Sequence, residues 1–265
     1  MPQKPWPRRK NRIRRAEILA REWLKGLVKA FYIAKKDAKV YYFKAPNFTY
    51  GLLIPVSLFL AFAMAGQMNP RLIVPGLVSL MLLFGTTSIE AVAVVLEKQT
   101  GTFERLLAAP ISCFTLVVGK TLAGFFFGLI LAAATLFPLA AVSGTTVSNP
   151  LLVVIAIAVT SLAFSALGVL VSAYARWVPE AQMLSNFFRF PMVFLSGTFV
   201  YLETLPSQLQ IVARFLPLTY SVEALRLLIG ESAVTSTYLI DIAALVAFTL
   251  ALMALAAKIL ERRRS

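Results

Sequence analysis

The chain alternates between long apolar runs and short polar or proline-containing breaks. Each run is close to the roughly 20 residues that an α-helix needs to cross the hydrocarbon core of a bilayer. We predict six membrane spans, at about 48–65, 73–96, 114–142, 151–174, 181–200 and 238–260. The pattern therefore predicts an all-α integral membrane protein, with a six-span transmembrane domain over residues 47–265.

Residues 1–46 are more polar, and we interpret them as a cytosolic basic arm followed by an amphipathic helix. Apolar residues recur there at three- and four-residue steps, the period of a helix with one apolar face. They are Leu19, Trp23, Leu27, Phe31, Ala34, Ala38 and Tyr41, and basic residues occupy another face. Such a helix suits the headgroup layer of a membrane, where Pro46 turns the chain into lipid. The alternative is a cytosolic helix packed on a partner protein.

The segment between the fifth and sixth spans, about 203–231, is predicted to hold two short helices. Pro206 marks the start of the first and Pro217 its end, while Ser221 and Gly230 are the expected caps of the second. Because both are too short to span, we expect a re-entrant hairpin, which is tolerated where protein or a water-lined cavity covers its backbone. The alternative is an amphipathic loop on the outer membrane surface.

Composition agrees with a membrane protein, because 59% of the 265 residues are hydrophobic, against about 45–50% in soluble domains. The formal net charge is +14, and about half of the basic residues precede Pro46. A second basic cluster, Lys258 with Arg262 to Arg264, closes the chain. Since basic residues that flank spans stay in the cytoplasm, we expect both termini there, and we expect no nucleic-acid partner.

The chain has one cysteine, Cys113, and no histidine, which excludes a disulfide framework and an ordinary zinc or haem site. Gly119-Lys120-Thr121 resembles the end of a phosphate-binding loop, but Phe114 stands where that loop needs a glycine. The two aspartates, Asp37 and Asp241, are far apart in sequence, so no paired carboxylates indicate catalysis. We expect no catalytic residue, no metal site and no ATP site in this chain.

Two charged residues fall inside predicted spans, Glu90 in the second and Arg189 in the fifth. An ionisable side chain in the membrane is costly and by default marks a transport pathway or a charged partner. For Glu90 the alternative is a carboxylate that snorkels to the interface or pairs with Lys120. Gly124 and Gly128 form a small-xxx-small step, which permits close helix contact.

The segment 97–110, between the second and third spans, is charged, helix-forming and ended by Pro110, as expected of a cytosolic docking element. Residues 101–107, which read GTFERLL, and Pro110 resemble the cytosolic loop of ABC-2-type permeases, the membrane subunits of ATP-binding-cassette exporters. The sequence LSGT at 195–198, then Leu205-Pro206, then LPLTY at 216–220 and Arg226, resembles a second signature of that family. The resemblance is greatest to the drug-resistance and nodulation-oligosaccharide exporter branch, and leaves out only the basic arm.

The resemblance implies a half-transporter. Two permease chains, in a homodimer or a heterodimer, would form the path, and two copies of a separate ATPase would bind below it and hold ATP and Mg. This chain would bind no cofactor. The coupling helix, about 97–110, would meet the ATPase through Glu97, Lys98, Gly101, Thr102, Glu104, Arg105, Leu106 and Leu107. The outer gate would include Leu205, Pro206, Phe215, Pro217 and Arg226.

The function that the resemblance implies is export of a hydrophobic or lipid-linked substrate, such as a drug, a lipid or a glycoconjugate, across the cell membrane. It would work by alternating access or through a dimeric channel, with Glu90 and Arg189 as candidate pathway residues. The alternative is a membrane scaffold or insertion factor whose basic arm binds lipid or RNA. A neighbouring gene for a soluble ATPase would favour transport.

Overall fold

The computed structural model describes residues 26–42, 69–145, 147–229 and 236–264, with five further residues between 57 and 64. In this part the chain is helical, with one isolated β-bridge. The helices are α1 (26–37, followed by the π-helical turn Ala38–Tyr42), α2 (Pro70–Gln99), α3 (Thr102–Ala108), α4 (Cys113–Ser143), α5 (Pro150–Tyr174), α6 (Val178–Leu195), α7 (Ser207–Ala213), α8 (Pro217–Leu228) and α9 (Ser236–Arg264).

Within the described residues, α2, α4, α5 and α9 are long and apolar enough to cross a membrane. They confirm the predicted spans 73–96, 114–142, 151–174 and 238–260 to within four residues at each end. The predicted span 181–200 corresponds to α6, which has 18 residues and ends earlier, at Leu195. The predicted span 48–65 lies almost entirely outside the described residues. The count of six spans therefore stays a prediction.

Proline and polar caps set the starts of the long helices. Pro70 and Pro150 occupy the first helical position, where the missing N–H has no intrahelical partner to lose. The Ser112 hydroxyl accepts a hydrogen bond from the Thr115 N–H at 3.0 Å and caps α4. At its other end α4 stops at Gly144, whose φ of +66° is a left-handed conformation.

The long helix α2 is central, because it packs against α4, α5, α6 and α8, while α5 lies between α2 and α9. Glycines permit these close approaches. A Cβ at Gly124 would lie 2.3 Å from the Ser165 Oγ, and a Cβ at Gly168 would lie 2.8 Å from the Thr87 carbonyl oxygen. The predicted role of Gly124 in close packing is therefore confirmed.

The helix α1 packs on α2 and α4 through small and medium apolar residues, Ala30, Ile33 and Ala34. Its backbone crosses α4 at Gly119, where a Cβ would lie 2.9 Å from the Ala30 carbonyl oxygen. The predicted apolar stripe is only partly in the core, since the Leu27 and Phe31 side chains are about half exposed. The helix thus carries one face buried in the protein and a second apolar face turned away from it.

The two ends of the bundle differ in what covers them. At the α3 end, α3 joins the C-terminus of α2 to the N-terminus of α4. At the α8 end, the Ser148 N–H donates to the Leu228 carbonyl oxygen at 3.0 Å, and Val147 forms a β-bridge with Ile229. The short helix α8 is thereby attached to the start of α5, and its residues Leu218, Val222 and Leu225 are buried in the main core.

The two short helices predicted for the segment 203–231 exist, with one correction. Pro206 is the N-cap of α7, as predicted, but Pro217 is the first residue of α8. The second helix therefore begins four residues before its predicted cap, Ser221, because proline is itself favoured at a first helical position. Ser221 instead lies inside α8, where its hydroxyl donates to the Ser79 Oγ at 2.9 Å. The predicted cap Gly230 lies outside the described residues.

Candidate functional site

A tight turn fixes the short helix α3 at the end of α2. Gly101 has a φ of +69°, which costs a glycine no steric strain. The hydroxyls of Thr100 and Thr102 both donate to the Glu97 carbonyl oxygen, each at 3.2 Å. Carbonyls in the last turn of a helix lack intrahelical partners, so these hydroxyls satisfy one of them and hold the turn closed.

A single aromatic side chain anchors α3 to the bundle. Phe103 is buried in a cluster with Val94, Cys113 and Leu116, and Leu106 and Leu107 pack partly against the same cluster. The two charged residues of α3, Glu104 and Arg105, are exposed to solvent. The helix is thus fixed on one face and presents an acidic and a basic side chain on the other.

Lys98 joins α2 to the end of α5. Its Nζ donates to the carbonyl oxygens of Ser172 and Ala175, the latter at 3.2 Å, and lies 5.6 Å from the centroid of the Phe103 ring. Carbonyls at a helix C-terminus carry partial negative charge and attract a cation. Lys98 therefore makes an internal contact, although the sequence placed it among the residues that meet a partner.

Four charged side chains from three helices form an ion cluster at the α3 end. Lys120 of α4 pairs with Asp37 of α1 at 2.7 Å and with Glu97 of α2, and Lys36 pairs with the same two carboxylates, with Asp37 at 3.0 Å. Asp37, Glu97 and Lys120 are at most 1% exposed, whereas Lys36 is 40% exposed. The cluster is neutral overall and links α1, α2 and α4 beside the turn that carries α3.

The protonation of Lys36 reflects this setting. Burial lowers its pKa, but the hydrogen bond to Glu97 and the negative charges of Asp37 and Glu97 outweigh burial, and the pKa of Lys36 is raised above its ordinary value. The charged form of Lys36 is therefore the one that the cluster stabilises.

The ion cluster corrects two sequence interpretations. Lys120 does not snorkel to an interface or pair with Glu90, because its ammonium group is fully buried between Asp37 and Glu97. Glu97 is likewise fully buried, so it does not present its carboxylate to a docking partner. Of the charged residues proposed for coupling, Glu104 and Arg105 alone are exposed.

Glu90 lies buried where α2, α4 and α5 meet. Its Oε1 accepts a hydrogen bond from the Gly124 N–H at 2.9 Å and one from the Ser165 hydroxyl at 3.4 Å. The missing Cβ atoms of Gly124 and Gly168 leave the space for this side chain, since each would lie within 3 Å of a Glu90 carbon. The carboxylate is therefore held by helix packing.

Arg189 of α6 is 1% exposed, and its guanidinium lies 5.3 Å from the centroid of the Phe84 ring on α2. Its Nη1 donates to the Asn186 Oδ1 at 3.3 Å. The sequence proposed Glu90 and Arg189 together as pathway residues, but Arg189 meets α2 at Phe84, six residues before Glu90.

The predicted gate residues lie on or beside α7 and α8. The Arg226 Nη2 donates to the Gly197 carbonyl oxygen at 2.7 Å, and its guanidinium lies 4.9 Å from the centroid of the Tyr201 ring. This contact fixes α8 to the turn after α6. Pro217 is buried, whereas Phe215 is strongly exposed on the surface of this chain.

This geometry defines a helical protein with several helices long and apolar enough to cross a membrane, and with a short anchored helix, α3, at one end of the bundle. A family model described as ABC-2 type transporter matches residues 27–229. The chain therefore belongs to the ABC-2 type transporter family.

Individual relatives agree with that assignment. The chain is 32% identical over 155 residues, 57% of its length, to ABC transporter G family member 20 of Dictyostelium discoideum. It is 39% identical over 70 residues, 26% of its length, to nodulation protein J of Rhizobium leguminosarum bv. viciae. These matches span only 21% and 27% of the respective relatives.

Sequence reasoning missed the ion cluster. It treated Asp37 as an isolated carboxylate, Lys120 as an interfacial lysine and Glu97 as a docking residue. The available signal was the balance of charge, since acidic and basic residues stand near one end of the amphipathic helix α1 and of the two apolar helices α2 and α4. Opposite charges at one end of a membrane bundle pair with one another when they face the interior.

Proposed function

We propose that this chain is the permease subunit of an ATP-driven exporter, and that separate ATP-binding-cassette ATPases dock on α3. The observation that carries the proposal is α3 itself, an anchored helix with exposed Glu104 and Arg105 in a chain of the ABC-2 type transporter family. Two ATPase copies would hold ATP and Mg, and a second permease chain would complete the path.

The anchoring of α3 supports a mechanical role. An isolated helix of seven residues is unstable in water, so α3 owes its structure to Phe103 and to the threonine turn. The helix is covalently joined to α2 and α4, and Phe103 packs in a cluster to which α5 and α9 also contribute residues. A movement of α3 caused by a partner bound at Glu104 or Arg105 would therefore displace the C-terminus of α2 and the N-terminus of α4.

The proposed topology places the α3 end and both termini in the cytoplasm of a cell-membrane protein. The support comes from charge, because the basic arm, Arg176 and the basic tail then share one side. Single cysteines at Ser148 and Ser207, in a Cys113→Ser background, should react with an impermeant thiol reagent in intact cells. A cysteine at Arg176 that reacted from outside would overturn the six-span arrangement.

The depth of α8 supports a re-entrant hairpin at the outer gate. Its Ser221 contacts Ser79 of α2 and accepts a hydrogen bond from Thr160 of α5 at 3.1 Å. Those two residues lie nine and ten positions into their helices, which is about 14 Å at 1.5 Å per residue. The start of α8 is thus well inside the bundle, while its end at Leu228 meets the start of α5.

The second apolar face of α1 supports an interfacial position. Leu27 and Phe31 are turned away from the bundle, and Lys29 donates to the Pro110 carbonyl oxygen at 3.1 Å beside α3. An apolar face with basic neighbours is the pattern of a helix in the headgroup layer. We propose that membrane lipid covers this face and that α1 is the family's connecting helix.

The proposed cargo is hydrophobic or lipid-linked, moved outward by alternating access or through a dimeric channel. The names of the relatives, an ABC transporter and a nodulation protein, fit a transport role and leave the substrate open. Glu90 and Arg189 are proposed to lie along the route, because both are charged side chains buried within the bundle.

Co-purification tests the proposal. The permease is expressed with the ATPase encoded beside it, and complex formation and export are measured for Glu104→Arg. We expect loss of the complex and of export with a monodisperse permease, because the substitution reverses the charge of an exposed contact. Glu203→Arg makes the same change on an exposed residue near the α8 end and should leave the complex intact. Wild-type export by Glu104→Arg would contradict the assignment of α3.

A further inference from the structure

The guanidinium of Arg189, on α6, lies beside the middle of the long helix α2. Arg189 is eleven residues beyond Val178, the first residue of α6, which places it about 16 Å along that helix. Its aromatic partner, Phe84, is the central residue of the 30-residue helix α2. The side chain is 1% exposed, so neither water nor lipid solvates its charge in this conformation.

Two parts of the guanidinium are already fixed. Phe84 covers one face, with 5.3 Å between the Cζ atom and the ring centroid, and Asn186 accepts from Nη1. The Nε and Nη2 atoms have no hydrogen-bond acceptor among the described residues. The Nε and Nη2 atoms lie on one edge of the guanidinium. In bidentate pairs, arginine uses such an edge to donate two parallel hydrogen bonds to one carboxylate or phosphate.

No acidic side chain in the described part of the chain pairs with Arg189. Of the chain's twelve acidic residues, all but Glu17, Glu22 and Glu231 lie in the described part, and none of those comes within 4 Å of Arg189. The stretch 43–69, which contains the predicted first span, has no Asp or Glu. A cation that is desolvated without an anion is strongly unfavourable, so an anion from outside the chain is the natural partner.

We propose that Arg189 binds the oxyanion headgroup of the transported amphiphile, with Nε and Nη2 each donating to one of its oxygens. The inference rests on the proposed exporter function and adds a substrate class to it, an amphiphile with a phosphate-type headgroup. Phe187, Phe190 and Phe194 of α6 are exposed along the neighbouring face of the helix and suit an acyl or prenyl chain. Because Arg189 is closed off here, the headgroup reaches it when α2 and α6 separate.

Binding to the purified permease tests this inference without ATP or an ATPase. The probes are dihexanoyl phosphatidate, dihexanoylglycerol and inorganic phosphate, measured by equilibrium dialysis in detergent. We expect saturable binding of phosphatidate, at least tenfold weaker in Arg189→Gln and partly retained in Arg189→Lys. Arg176→Gln removes the same charge from an exposed position and should bind as the wild type does.

Several outcomes would overturn the inference. Equal phosphatidate binding by wild type and Arg189→Gln would show that Arg189 holds no headgroup. Dihexanoylglycerol binding as tight as phosphatidate would show recognition of the acyl chains alone, and inorganic phosphate binding as tight would show a free-anion site.

Misfolding of the glutamine variant leaves the test intact, because Arg189→Lys keeps the charge and loses the two-nitrogen edge. If that variant is monodisperse, it should bind phosphatidate more weakly than the wild type, and undiminished binding would count against the proposal. The exporter function is tested by a different experiment, the co-purification of the Glu104→Arg permease with its ATPase. A negative result for phosphatidate binding and a negative result for ATPase docking can therefore be told apart.

Discussion

Replacing Lys120 by methionine should destabilise the α3 end of the bundle far more than the same replacement of Lys36. The first change leaves the carboxylates of Asp37 and Glu97 buried together, with only Lys36 to neutralise both. Removing one partner of a buried ion pair costs about 3–5 kcal/mol, because the remaining charge stays desolvated. Lys36 is 40% exposed, so water already solvates part of its charge, and its removal should cost less than that of Lys120 even though both of its carboxylate partners are buried.

The single cysteine provides the assay. Cys113 is buried in the cluster that holds Phe103, so a thiol-reactive dye labels it when the α3 end opens. Since about 1.4 kcal/mol corresponds to a tenfold change in an equilibrium constant, Lys120→Met should accelerate labelling by about 100-fold or more. Lys36→Met should accelerate it by a clearly smaller factor, because the Lys36 ammonium group is partly solvated.

A neutral triple variant separates charge from shape. Asp37→Asn, Glu97→Gln and Lys120→Met together remove every fully buried charge of the cluster, and replacing a whole buried ion network is often close to neutral in stability. Labelling should return most of the way to the wild-type rate. Equal rates for Lys120→Met and Lys36→Met would refute the reasoning, because it depends on the difference in burial between the two lysines.

Three further changes test the packing. Phe103→Ala should cost about 3–5 kcal/mol at its buried position and free α3 for proteolysis, whereas proteolysis at the wild-type rate would show that α3 is held by other contacts. Gly168→Leu should abolish a monodisperse fold, since its Cβ would lie 2.7 Å from the Glu90 Cβ; a well-folded variant would refute that spacing. Because the pKa of Lys36 is raised, its stabilising effect persists to about pH 10.5 and is lost as the pH rises through the higher folded value. The difference in stability between wild type and Lys36→Met should therefore close above that pH, as measured by tryptophan fluorescence.

Apolar runs were sufficient to predict α2, α4, α5 and α9. A segment in lipid must form all its backbone hydrogen bonds internally, so a long apolar run predicts a helix. The same reasoning overextended α6, whose hydrophobic pattern continues past Leu195 into a turn. Gly197, with a φ of +70°, and its contact with Arg226 end that helix, and neither feature is visible in a hydropathy pattern.

Local signals located the candidate site but not its partners. The charged segment 97–110, ended by Pro110, predicted a helix, and the structure has the shorter helix α3, with residues 97–99 belonging to α2. The burial of Glu97 and the pairing of Lys120 with Asp37 depend on how α1 crosses α4 at Gly119, 83 residues along the chain from one partner to the other. Contacts between residues so far apart follow from tertiary packing, which a single sequence does not encode as a readable pattern.

The central position of α2 would let one chain connect the proposed docking helix to the proposed gate. Near one end of α2 Glu97 enters the ion cluster beside α3, and about a third of the way along the helix from its other end Ser79 bonds to Ser221 of α8. The two residues are 18 positions apart in a continuous helix, about 27 Å. In the proposed exporter, a movement of α3 that tilts α2 would therefore also displace the contact between α2 and α8. The ion pairs of Glu97 and the hydrogen bond of Ser79 would then be the contacts that transmit the motion of α2. Removing either contact should weaken the coupling between ATP hydrolysis and export, while the ATPase still docks on α3.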